Sequence, residues 1–191
     1  MLFNAALNFK PDKHKSILMD NKSVAFGLVL TLCLVRRVHR KVKKHSYITF
    51  FFRQNPNNHQ LLVNGNINSV SNSNYRANRP TKVIAHGWNN NGNSNMNPLI
   101  TSAFLAVADV NVIVLNWGNV AQNVNYLSVA SQVPNVGQHL GQFINWLFNT
   151  AGGNFNQLHL IGFSLGAHVV GNAGRTIGGR AARITGKIVY Q

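Results

Sequence analysis

The stretch Leu158-His159-Leu160-Ile161-Gly162-Phe163-Ser164-Leu165-Gly166-Ala167-His168-Val169-Val170 decides the reading of this chain. LHLI (158–161) is an apolar run suited to a short buried strand, and AHVVGNAG (167–174) reads as a helix of small residues. Between them Gly162, Ser164 and Gly166 form a G-x-S-x-G sequence. Alone that pattern is weak, but a strand running through it into a helix is the setting in which such a serine becomes a nucleophile. The reason is steric. The turn must be so sharp that the serine backbone is strained, and side chains at either flanking glycine would collide with strand or helix. The other reading of the same residues is a glycine-rich helix start capped by Ser164.

An acyl-transfer serine also needs donors aimed at the oxyanion that develops during attack. The backbone N–H of Leu165 directly follows the serine, at the positive end of a helix. A second donor is expected from the loop after an earlier strand, where KVIAHGW (82–88) is suitably placed. His86 in that segment precedes the serine. Its position does not fit the base in the Ser, acid, His chain order of this fold, so it reads as a turn histidine without a catalytic role.

Working outward, strands and helices alternate. Residues 47–52 (YITFFF) read as a strand, and 55–78, rich in Asn and Ser, as turns around a short strand at 61–63. Residues 82–85 form another short strand, followed by a polar loop (89–97) and a helix opened by Pro98 and running to about Ala108. NVIVLNW (111–117) is the clearest central strand. Val136, Leu140, Phe143, Ile144 and Leu147 define the apolar face of a long helix. A further strand (158–162) and a helix from Leu165 to about Thr176 complete the pattern. The expected fold is α/β, a mostly parallel sheet with helices on both faces.

Composition narrows the chemistry. The 191 residues contain three acids, Asp12, Asp20 and Asp109, and no Glu, which excludes carboxylate dyads and carboxylate-rich metal or calcium sites. Cys33 is the single cysteine, so neither an internal disulfide nor a thiolate zinc site can form. No metal and no organic cofactor are expected. The net charge of +15 suggests nucleic acid at first sight, yet eleven of the eighteen Lys and Arg lie in residues 1–53, six of them between Arg36 and Lys44. The basicity is mostly that of one arm, and no nucleic-acid partner is expected. Elsewhere Asn fills many surface-like positions where an acid would be ordinary. Within the arm, VAFGLVLTLCLV (24–35) is too short to span a bilayer but has the length of a signal-peptide apolar region, with Met19 and Lys22 ahead of it. A buried strand or helix is the alternative, since no small-residue cleavage site follows.

Taken together, FFRQNPNN (51–58), KVIAHGW (82–88), VNVIVLNW (110–117), NYLSVASQVPNVGQHLGQFINWL (125–147), HLIGFSLGAHVVGNAGR (159–175) and RITG (183–186) resemble the pancreatic-type lipases, especially the secreted insect members and the sn-1 phospholipases. The resemblance implies an α/β-hydrolase fold, Ser164 as nucleophile, oxyanion donors from Trp88 and Leu165, and elbow glycines Gly162 and Gly166. It also implies lipid ester substrates met at a lipid–water interface, an extracellular setting, and no transmembrane anchor. By family analogy, Trp88 and the loop 89–97 line the acyl groove. The organisation expected is a basic arm (1–46), the N-terminal part of a lipase domain (47–186) reaching just past the elbow helix and the following strand, and an unrelated tail (187–191).

One departure stands out. In the family RITG continues as Leu-Asp-Pro-Ala, whose Asp is the triad acid, whereas here Lys187-Ile188 follows and places Ile188 at that position. No acid occurs after Ser164, and the only later histidine is His168, on the elbow helix, which the family does not use as base. The expectation is therefore that these residues by themselves hydrolyse esters poorly. Two further readings remain open: a non-catalytic, yolk-protein-like lipase-fold protein that binds lipid, and a membrane-surface or nucleic-acid module driven by the basic arm.

Overall fold

A computed structural model describes residues 47–51 and 59–187. The basic arm (1–46), its apolar run (24–35) and Ile188 lie outside these residues. Six strands form one sheet: β1 (Tyr47–Phe51), β2 (Gln60–Leu62), β3 (Thr81–Ala85), β4 (Asn111–Asn116), β5 (Leu158–Phe163) and β6 (Arg183–Lys187). Their order is β2-β1-β4-β3-β5-β6. β1 runs antiparallel to both of its neighbours, while β4, β3, β5 and β6 are parallel. The mostly parallel sheet with flanking helices is thus the architecture found.

Among the described residues five α-helices connect the strands: α1 (Ile67–Ser71), α2 (Met96–Val107), α3 (Gly118–Ala121), α4 (Tyr126–Ala151) and α5 (Leu165–Thr176). Two cores follow from the pleat, because successive strand residues face opposite sides. Val83, Ala85, Ile113, Leu115, Leu158 and Leu160 pack with α4 and α5 side chains such as Leu140, Phe143, Ile144, Leu147, Val169 and Val170. On the opposite face Ile84, Val112 and Val114 pack with Leu105, Phe104 and Ile100 of α2. Two glycines let α4 approach α5. A Cβ at Gly137 would lie 2.6 Å from the Val169 carbonyl oxygen, and one at Gly141 would lie 2.9 Å from that of Ala173.

The connections position the site. After β3 the chain crosses through α2 on one face to reach β4; it returns through α4 on the other face to β5, on the far side of β3. The strand order therefore reverses between β3 and β5. At such a switch point a crevice opens beyond the carboxyl ends of the strands, because the connections leave in opposite directions. Ala85 pairs with Gly162 in register, so the residues next in line, His86-Gly87 and Phe163-Ser164, meet there.

Some boundaries differ from the sequence reading. α1 falls where only turns were expected; it is five residues long, capped by Asn66, and buries Val70 alone, too little for periodicity to reveal. β2 sits one residue earlier than expected, with Leu62 buried and Leu61 and Val63 exposed. α2 begins at Met96, two residues ahead of Pro98. Lys187 is the last residue of β6, paired with Phe163, and 188–191 lie outside the described residues. Several asparagines are structural rather than surface-like. Asn111 is fully buried and donates to the carbonyls of Arg76 and Arg79, while Asn66 and Asn125 cap α1 and α4 and Asn154 caps a 3-10 turn at Phe155–Gln157.

Candidate active site

Ser164 stands at the junction of β5 and α5 with φ +54° and ψ −126°. It is one of two non-glycine residues with positive φ among those described, the other being Asn89. Such a backbone costs of order 1–3 kcal/mol and persists only where its surroundings enforce it. The constraints are visible. The Ser164 N–H donates to the Lys187 carbonyl at 2.8 Å, and the Ser164 carbonyl accepts from Ala167 N–H at 2.9 Å. The hydroxyl makes no capping hydrogen bond to α5, so it does not serve as a helix cap.

The flanking glycines are required by close approach. A Cβ at Gly162 would collide with the Gly166 carbonyl and lie 2.5 Å from the Ala167 Cα. At Gly166 it would collide with the Ala85 carbonyl oxygen of β3 and lie 2.5 Å from that of His86. The helix thus starts pressed against both strands, and no side chain fits at Gly166.

Gly87 is the residue that sequence reasoning left out. A Cβ there would lie 2.8 Å from Ser164 Cβ and 3.3 Å from Ser164 Oγ, so a side chain at this position would crowd the hydroxyl. The available signal was the His-Gly pair directly after an apolar strand. Trp88 follows it. Its indole Nε1–H donates to the Asn123 carbonyl at 2.9 Å, and its ring meets Tyr126 edge-on at 5.3 Å. Among the described residues neither the Trp88 nor the Leu165 backbone N–H has an acceptor. Leu165 directly follows Ser164 at the start of α5, and Trp88 follows Gly87 on the loop after β3.

His86 anchors this loop. It is buried, and its ring stacks on that of Trp117 with centroids 5.4 Å apart and planes 15° from parallel. Its Nδ1–H donates to the Gly87 carbonyl at 3.0 Å, while Nε2 accepts from Trp117 N–H at 3.2 Å, which fixes the tautomer. Trp117 Nε1–H returns a bond to the His86 carbonyl at 2.9 Å. Burial pushes the His86 pKa down to about 4, partly offset by its bonds to Gly87 and Asn116. His86 stays neutral and structural. His168 is exposed on α5, and its carbonyl accepts from Asn172.

The loop 89–97 is stitched by asparagine. Asn97 Nδ2 donates to the carbonyls of Asn91 and Gly92, and Asn116 Oδ1 accepts from Gly92 N–H and Gly118 N–H. Among the described residues no group of three or more His, Cys, Asp or Glu is arranged to hold a metal, and no helix is long and apolar enough to cross a membrane.

A sharp strand-to-helix turn carrying a strained serine at a sheet's switch point defines the class: proteins of the α/β-hydrolase type. The chain matches the Lipase family over residues 20–187 and belongs to that family. It is 34% identical over 136 residues to the pancreatic triacylglycerol lipase of Mus musculus, and equally so to that of Homo sapiens. It is 33% identical over 136 residues to the human inactive pancreatic lipase-related protein 1. In each case the match covers 71% of this chain and 29% of the relative, so the chain spans under a third of the length of the curated relatives it matches.

Proposed function

We propose that the described residues form the nucleophile half of a lipid ester hydrolase, with Ser164 attacking the ester carbonyl. The observation that carries this reading is the positive-φ serine at the β5–α5 turn, its hydroxyl free of any capping role and flanked by Gly87. In the reaction Ser164 Oγ bonds to the carbonyl carbon as its proton passes to a base. The carbonyl oxygen becomes an oxyanion held by the N–H groups of Trp88 and Leu165. Collapse expels the protonated alcohol and leaves an acyl-serine that water then hydrolyses. The substrate class is carboxylic esters of lipids, triacylglycerol or the sn-1 ester of a phospholipid, met at a lipid–water interface. An extracellular setting accompanies this reading through the family resemblance and the signal-like run at 24–35.

A second reading concerns the chain by itself. Ile188 stands where the family carries its triad Asp, and His168 is exposed on the elbow helix. Removal of triad members typically costs about 10⁴ to 10⁶ in turnover, so the 191 residues alone are expected to hydrolyse esters barely above background. A lipase-fold protein that binds lipid without cleaving it is the non-catalytic form of this reading.

Reading the transcript across the codons for Gly186 and Lys187, then assaying the encoded product on emulsified triacylglycerol and on phospholipid vesicles, separates the two. A message that continues into Leu-Asp-Pro and later supplies a histidine, with hydrolysis lost on Ser164→Ala, supports the enzyme. Messages ending at Gln191, with lipid binding but no Ser164-dependent hydrolysis, support the non-catalytic form.

A further inference from the structure

The opposite end of the same strands carries a row of basic residues. Lys82 of β3 pairs in register with His159 of β5, and His159 with Arg183 of β6. Parallel strands lie about 4.8 Å apart, so three basic residues stand side by side on one face of the sheet. They border a cleft of about 310 Å³ together with Pro80, Asn156 and Gln157. The Lys82 ammonium lies 5.6 Å from the Phe104 ring centroid, and the same ring meets His159 edge-on at 6.2 Å. Thr185 Oγ1 lies 2.9 Å from His159 Nε2. His159 is five residues from Ser164 along the chain, about 16 Å at strand rise, so this cleft is separate from the serine.

Lys82 and Arg183 flank His159 from the two neighbouring strands, and like charges gathered on one sheet face repel. Nothing described relieves them. The only carboxylate among the described residues, Asp109, is engaged by Arg79 at 2.8 Å. The strain shows in the ionisation of the row. Burial, and then the Arg183 charge, lower the Lys82 pKa; burial, and then Lys82 and Arg183, push His159 down to about 4.

We propose that Lys82, His159 and Arg183 form a binding site for a phosphate-class oxyanion at the end of the sheet opposite Ser164. A phosphate group near neutral pH carries close to two negative charges and at least three acceptor oxygens. That matches three donors on three adjacent strands better than the two oxygens of a carboxylate. The Arg183 guanidinium offers a planar pair of N–H donors, Lys82 a compact ammonium, and His159 a ring N–H. The phosphate is either free in solution or part of a lipid headgroup, both presenting the same oxygens.

The test titrates the full chain with inorganic phosphate at constant ionic strength, following the His159 ring and the Lys82 side chain by NMR. A saturable shift at both residues, with the His159 pKa rising, is the expected result. Arg183→Gln and Lys82→Met should each weaken binding by about tenfold or more, and Arg183→Lys should weaken it less than Arg183→Gln because the charge stays but the planar donor pair is lost. Arg175→Gln, on an exposed position of α5, should leave it within about twofold. Arg183 is exposed, so its substitution leaves the fold intact, as circular dichroism would verify. Phosphatidylcholine vesicles with and without phosphatidic acid give the second arm. Binding that requires phosphatidic acid and is lost in Arg183→Gln assigns the site to a headgroup, and saturable binding of inorganic phosphate alone assigns it to the free ion. Non-saturating shifts, equal losses from Arg175→Gln, or a protein carboxylate found seated against Arg183 would each overturn the proposal.

Discussion

The two ends of β5 are built on opposite principles. At the carboxyl end, Gly162, Gly166 and Gly87 exclude side chains so that backbone can touch backbone, and Ser164 is held at φ +54° among them. At the amino end, Lys82, His159 and Arg183 extend long or ionisable side chains from three registered positions. One end is fixed by sterics and tolerates no atom more. The other is open, lining a cleft of about 310 Å³ with Arg183 exposed. A reactive group needs the first kind of setting, because its position must be set before substrate arrives. A site that takes up an ion from water can use the second.

The comparison can be broken most severely at Gly166. Gly166→Ala drives a methyl into the carbonyls of Ala85 and His86, where neither strand nor helix can yield, and should cost about 3 kcal/mol or more in urea unfolding. Acid acts next. The His86 pKa falls from an ordinary 6.5 to about 4 on folding, so between these values the unfolded chain binds more protons than the native one. Stability is complete above about pH 6.5 and declines as pH falls toward 4, by roughly 3 kcal/mol from His86. Urea midpoints at pH 7.5 and pH 4.5 measure the loss, and His86→Gln should flatten the difference. His159 acts in the same direction at the other end of the strand.

Smaller effects sharpen the contrast. Ser164→Gly should stabilise the fold by about 1 kcal/mol, because glycine adopts the positive φ without strain, even as any hydrolysis disappears. Thermal unfolding beside an ester assay would show the two changes moving oppositely. At the amino end, Arg183→Gln should change stability by no more than about 0.5 kcal/mol, with the sign toward stabilisation as like-charge repulsion is relieved.

Much of the fold was legible because its signals are local. The apolar runs at residues 111–117 and 158–162, the helical face from Val136 to Leu147 and the glycines around Ser164 each report on their own neighbourhood. What escaped was set by contacts across the chain. α1 owes its place to a single buried valine and an Asn cap, and the buried role of Asn111 depends on Arg76, Arg79 and Thr81 more than thirty positions earlier or close to it. Gly87 could be read as part of a motif, but its contact with Ser164 follows only once β3 and β5 are paired through Ala85 and Gly162. The basic row is the clearest case. Lys82, His159 and Arg183 are far apart in sequence, and register alone makes them neighbours.

The central claim is that the strained turn presents Ser164 as the reacting group. Treating an ester-hydrolysing preparation with a long-chain alkyl phosphonate ester and mapping the adduct by mass spectrometry tests it directly. The account predicts a single adduct, on Ser164, formed in step with loss of hydrolysis and absent from Ser164→Ala. Complete loss of hydrolysis with the adduct on another residue, or hydrolysis that persists with Ser164 fully modified, would contradict it.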